Sequence, residues 1–136
     1  MQHRFDNGEI VDFIVLPHST IALRSDGIIE LNTKIDFYYT LKETIEGIEA
    51  IGKLSGGKLV RVLKIAGNGS SVDAESRKYI ASGIGSRFSI AEAILIETFA
   101  HKLIGNFYLK VERPIKPTKL FNDKDKAVEW LLNFVS

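Results

Sequence analysis

The last third of the chain constrains the fold most. Residues 91–97, Ala-Glu-Ala-Ile-Leu-Ile-Glu, read as a buried strand that leads into an unusually apolar helix from Thr98 to about Val111. A Pro-flanked linker, Pro114-Ile-Lys-Pro117, is followed by a short strand at 118–121 and a terminal helix opened by Asn122-Asp-Lys-Asp125. Asn caps such a helix, and acids in its first turn favour the dipole. Upstream, Thr20-Ile-Ala-Leu-Arg24 and Ile28-Ile-Glu-Leu-Asn32 flank Ser25-Asp26-Gly27, a hairpin signal because Gly supplies the positive φ of the turn. Thr40-Leu-Lys-Glu43 is a capping box, and the helix it opens carries Leu41, Ile45 and Ile48 on one stripe. A strand over 58–66, a turn over 67–71 and a second helix from about Asp73 to Ser82 complete the series.

A hairpin followed by three helix–strand alternations predicts an α/β fold. The expectation is a mixed four- to five-stranded sheet with an N-terminal antiparallel hairpin, parallel crossovers and about four helices. Residues 1–19 read as an N-terminal tail in which 10–16 form an edge strand or lie against the core; residues 20–136 form the domain. A chain of 136 residues can bury most of its apolar surface in one core.

Eighteen basic residues oppose seventeen acidic ones, so the chain lacks the basic excess that phosphate neutralisation requires of a nucleic-acid binder. The densest basic stretch, Lys110, Arg113, Lys116 and Lys119, reads as a solvated edge. With no cysteine, thiol catalysis, disulfides and cysteine-ligated metals are excluded. The first residues show no signal-peptide pattern and no run is long enough to span a membrane, so the expectation is a cytoplasmic protein without membrane insertion.

Catalytic constellations are hard to assemble. His3, His18 and His101 have no ligand spacing, and the position four residues beyond His101 is Gly105. Asp123 and Asp125 sit in a first helical turn, where they serve the dipole rather than a metal. The loop Gly67-Asn68-Gly69-Ser70-Ser71 follows a strand and precedes a helix, as a dinucleotide fingerprint does, but Val72 stands where the third glycine should be. The plainest reading of the loop is a helix cap by Ser71, or by Ser70 with Asp73. No enzyme, cofactor or metal is therefore expected.

The apolar helix gives the sharper clue. Phe99, Leu103 and Phe107 form one stripe and Ala100, Ile104, Tyr108 and Val111 the next, about half the cylinder together. Packing on a sheet needs less than that. Leaving Ile104, Tyr108 and Val111 in water forgoes about 1.5–3 kcal/mol per large side chain, so something should cover them. The candidates are a partner protein, most simply a second copy in a homodimer, or the apolar segment 10–16.

Asp26-Gly-Ile-Ile-Glu-Leu31, Glu75-Ser-Arg-Lys-Tyr79, Pro117-Thr-Lys-Leu-Phe-Asn-Asp123 and Lys126-Ala-Val-Glu-Trp-Leu131 together resemble small bacterial STAS/SEC14-type proteins, the SpoIIAA-like group, over roughly residues 20–134. The resemblance implies a sheet packed against helices, and a non-enzymatic regulatory module that acts by binding an unidentified protein partner. It also implies control by phosphorylation of a serine in the loop after a central strand. The matching positions are Ser70 and Ser71, although the usual Asp-Ser-Ser-Gly character of that loop is missing. The alternative that the resemblance implies is a small-ligand binder, for a nucleotide or a lipid, using the Gly67–Ser71 loop or an apolar pocket.

Overall fold

The computed structural model describes residues 8–135. Eight strands and four helices follow one another as β1 (Ile10–Val15), β2 (Ser19–Arg24), β3 (Ile29–Thr33), β4 (Tyr38–Tyr39), α1 (Leu41–Ser55), β5 (Val60–Ile65), β6 (Ser71–Val72), α2 (Ala74–Ala81), β7 (Ser89–Leu95), α3 (Phe99–Phe107), β8 (Thr118–Phe121) and α4 (Lys124–Asn133). Six strands build one sheet in the order β1-β2-β3-β5-β7-β8; β4 and β6 pair as a short parallel ribbon beside it. The first three strands run antiparallel, and β3, β5, β7 and β8 are parallel. The fold is thus the α/β class with a mixed sheet and four helices, with one strand more than expected because 10–15 joins β2 as a true edge strand.

The hairpin turn forms where Asp-Gly predicts it. Gly27 adopts φ of 89°, and the Asp26 carboxylate accepts the Ile28 N–H at 3.1 Å. Arg24 then clamps the turn: its guanidinium donates to Asp26 at 3.1 and 2.7 Å and to Glu30 at 3.0 Å, all three side chains being buried. At α1 the Glu43 carboxylate accepts from both the Thr40 hydroxyl at 2.7 Å and the Thr40 N–H at 2.8 Å. Those bonds hold the Glu43 pKa below the usual carboxylate value.

Alternation along the strands separates two cores. Ile21, Ile29 and Val62 point to the face covered by α1, packing against Ala50 and Ile51. Ile28, Leu63, Ala91, Ala93 and Leu95 point to the other face, where α4 lays down Ala127 and Leu131, four residues apart on one helix face. Asp123, one residue beyond the expected Asn122, caps α4 by accepting the Lys126 N–H at 3.0 Å. Because β1 and β8 occupy opposite edges and α3 packs by β8, residues 10–16 do not reach α3 and cannot cover it. No described helix is long and apolar enough to cross a membrane.

Candidate functional site

On the α1 face the helices do not close over the sheet. Beyond Val62 the inward positions of β5 and β7 turn charged, Lys64 and Glu92, and α2 and α3 stand off from them. The gap is a cavity of about 490 Å³. Its floor is Leu31, Lys64, Glu92 and Ile94; α1 contributes Gly47, Ile48 and Ile51; α2 contributes Ala74, Arg77 and Ile80; the β4–β6 ribbon contributes Tyr39 and Val72; α3 roofs it with Ala100, His101, Ile104 and Gly105, and the turn that follows α3 adds Tyr108. A second depression of about 520 Å³ lies open between β1 and α1, lined by Ile14, Leu16, Pro17, His18 and Phe37 and rimmed by Lys42, Glu43, Glu46, Glu49 and Lys53. Those long solvated side chains make it a surface groove rather than an enclosed apolar site.

Both cations of the cavity wall are paired. The Lys64 ammonium lies 2.8 Å from Glu92 Oε1, and the Ser89 hydroxyl donates to Glu92 Oε2 at 2.7 Å. Arg77 donates to Glu112 at 2.8 Å and to the Val72 carbonyl at 2.7 Å. Asp73 caps α2 through the Ser76 N–H at 2.8 Å. Four buried polar atoms around the roof have no hydrogen-bond partner among the described residues: the Tyr108 hydroxyl, His101 Nδ1, Glu112 Oε2 and Glu92 Oε1, the last of them in its ion pair with Lys64. Burial, with the carboxylates of Glu92 and Glu112 nearby, pushes the Tyr108 phenol well above its ordinary pKa. Its proton therefore stays in place as a donor. Among the described residues no three His, Asp or Glu side chains converge on a point where they could hold a metal ion.

The roof is set by contacts that apolar periodicity does not reveal. Thr98 caps α3 by accepting the His101 N–H at 3.1 Å, and His101 Nε2 donates to the Ser70 carbonyl at 2.7 Å. Gly105 lets the helix approach β8; a Cβ there would stand 2.8 Å from Leu120 Cδ1. These two residues fix the inward face, after which the helix loosens into a π-helical turn, Tyr108–Glu112, that turns Tyr108 inward and brings Glu112 to Arg77. The expected surplus face is therefore divided. Tyr108 is only 6% exposed, Ile104 lines the cavity, and Val111 is in solvent. The outward stripe is Phe99, Leu103 and Phe107, the first of them 74% exposed.

The Gly67–Ser71 bend is a structural anchor beside the cavity. Gly67 N–H donates to the Thr33 hydroxyl at 2.7 Å, and a Cβ on Gly67 would lie 2.6 Å from the Thr33 carbonyl. The Asn68 carbonyl accepts from Asp36 N–H at 2.9 Å, and Gly69, at φ of 76°, abuts the Asp36 side chain. Ser70 is buried, its hydroxyl donating to the Gly67 carbonyl at 2.7 Å; Ser71 is exposed on β6. Neither serine caps α2, contrary to the expected helix cap: β6 intervenes and Asp73 takes that role. The interruption also removes the strand–turn–helix geometry of a dinucleotide loop.

Lys64 and Glu92 fall in no motif, Arg77 lies in the stretch at 75–79 that carries the resemblance, and His101 is a histidine without ligand spacing. Glu92 carries a signal nonetheless, as the one charge in its strand, whereas Lys64 shares β5 with Arg61. No curated protein and no solved structure matches the chain. Residues 21–135 match the family model described as a domain of unknown function, DUF7793, and the chain belongs to that family.

Proposed function

We propose that this protein is a non-enzymatic small-ligand-binding module whose ligand occupies the cavity beneath α3. The observation that carries this reading is the cavity itself: about 490 Å³, its inner surface mainly apolar although polar and charged residues contribute to the wall. That is the size and composition of sites that take molecules of cofactor or drug size. A space of this kind in a core otherwise filled by Ile21, Ile29 and Val62 forgoes packing energy, which a bound molecule would restore. An apolar pocket is also what the STAS/SEC14-type resemblance leads one to expect of its ligand-binding branch.

Binding suits the wall better than catalysis does. Lys64 and Arg77 are held in ion pairs, and His101 Nε2 spends its proton on a backbone carbonyl rather than activating a hydroxyl. A thermal-shift titration against a library of small apolar compounds tests the reading, with Ile104→Trp as the filled-cavity control. Saturable stabilisation of the wild type that disappears in the variant is expected. No stabilisation by any compound, or equal stabilisation of both proteins, would overturn it.

A second reading, compatible with the first, is favoured by the outward stripe Phe99, Leu103 and Phe107. The helix that roofs the cavity would present this stripe to a protein partner or a second copy, so that ligand and partner share one element. Within that reading Ser71 is the serine open to phosphorylation, since the Ser70 hydroxyl is buried and bonded.

A further inference from the structure

The sheet ends on one side in an apolar, uncovered strand. β1 shows Ile10, Val11, Phe13 and Val15 to solvent within six residues, Phe13 60% and Val15 67% exposed, and its one charge is Asp12. Such an edge is a template for another strand, which is why edges are commonly short or broken by Lys and Pro. The opposite edge follows that practice: β8 has four residues, comes directly after Pro117 and carries Lys119. On β1, Ile14 and Leu16 pack into the core beneath α1, so Phe13 and Val15 point to the other face. That is the side of α4, but α4 packs on β5, β7 and β8 and leaves them in solvent.

Hydrogen bonds fix which backbone groups of β1 are free. Leu16 and Ser19 exchange bonds of 2.8 and 3.4 Å across the β1–β2 turn. Antiparallel pairing alternates from there, so Ile14, opposite Ile21, bonds inward. Phe13, opposite Ala22, and Val15, opposite Thr20, turn their N–H and C=O groups to the open edge. Accordingly the Phe13 N–H donates to its neighbour, the Asp12 carboxylate, at 2.8 Å rather than to β2.

A second copy of this edge fits those groups. Two identical edges related by a two-fold axis can form ladder bonds only when antiparallel, the sense in which β1 already pairs with β2. With the axis at Ile14, Phe13 of each copy lies opposite Val15 of the other, and the free groups of both residues find partners. An axis at Phe13 would set Val15 against the bulge at 10–12, and one at Val15 would set Phe13 against Pro17, which has no N–H. The Ile14 register also gathers Phe13 and Val15 of both copies on one face. It places Asp12 opposite Leu16, so no like charges face each other.

We infer that the chain forms a two-fold homodimer by antiparallel pairing of β1 with β1 of a second copy, centred on Ile14, which joins the two sheets into one. The contact is small beside a standard interface, so its dissociation constant is micromolar rather than nanomolar. The Asp12 carboxylate weakens it further, because it must leave the Phe13 N–H before the ladder forms. The α3 stripe, beside the opposite edge, takes no part.

Light scattering of the full chain from about 1 µM to about 100 µM should show monomer passing into dimer. Over the same range the amides of Phe13 and Val15 should gain protection from hydrogen exchange, followed by NMR, while that of Ile14, already bonded to β2, should not change. Val15→Pro removes an N–H that faces outward, a position where an edge strand tolerates proline. This variant and Phe13→Lys should each weaken the dimer at least about tenfold. Asp12→Ala should tighten it about 3- to 10-fold, and Phe107→Glu should leave it unchanged. A wild type that is still monomeric at about 100 µM would overturn the inference. So would a dimer that Phe107→Glu dissociates, or one that forms while the Phe13 and Val15 amides exchange as fast as in the monomer.

Discussion

Arg24 shows how one side chain can hold a turn. Burial alone would lower its pKa; the hydrogen bonds and charges of Asp26 and Glu30 outweigh that, and the guanidinium pKa rises above its ordinary value. Replacing it by Met would leave two buried carboxylates with, among the described residues, only the half-exposed Lys124 as an ion-pair partner, 3.2 Å from Glu30. We expect Arg24→Met to destabilise the protein by about 3–5 kcal/mol, measured by urea denaturation at neutral pH. A loss below about 1 kcal/mol would show the clamp to be incidental. Tyr108 makes a prediction about alkaline pH. Its pKa is raised in the folded state, so its contribution is fully present below the ordinary phenol value of 10.0 and declines above it, as the unfolded chain ionises and the folded chain does not. Denaturant midpoints from about pH 9 to about pH 11 should therefore fall less steeply for Tyr108→Phe than for the wild type. Equal slopes would contradict the burial of that phenol.

At the scale of elements, what could be read in advance depended on whether a local rule or a distant contact decides the outcome. The β2–β3 turn, the start of α1 and the α4 stripe of Ala127 and Leu131 follow from local chemistry, and all are visible in the sequence. The rotation of α3 is different. His101 and Gly105 belong to neither apolar stripe, yet the Ser70 carbonyl and Leu120 place them on the inward face. Neither partner is near in sequence. The β4–β6 ribbon has no local signature for a similar reason: two residues on each side carry no periodicity, and the pairing depends on the bend at 67–71 docking against 33–36. The glycines of that bend are explained by this docking rather than by a phosphate. Gly67→Ala should cost about 1–3 kcal/mol, because its Cβ would meet backbone rather than a movable side chain. A Gly67→Ala protein as stable as the wild type in thermal melts would mean the bend is free to shift.

Across the whole molecule, function converges on one helix. α3 contains no fully buried residue, roofs the cavity with one face and shows Phe99, Leu103 and Phe107 to solvent with another. An element held mainly by a cap, one histidine bond and a glycine contact belongs to the less stable part of a structure, where ligand-coupled segments are commonly found. If the outward stripe is a homodimer contact, light scattering at micromolar concentration should report a dimer that Phe107→Glu converts to a monomer. A wild-type monomer throughout would exclude self-association and leave the stripe to another protein. The central claim, however, is that the space beneath α3 is a binding site. Native mass spectrometry of the protein purified from its own host tests it most directly. A non-covalent small-molecule adduct at one per chain, absent from Ile104→Trp purified in the same way, is the predicted result. The bare chain mass for the wild type, or the same adduct on both proteins, would contradict it.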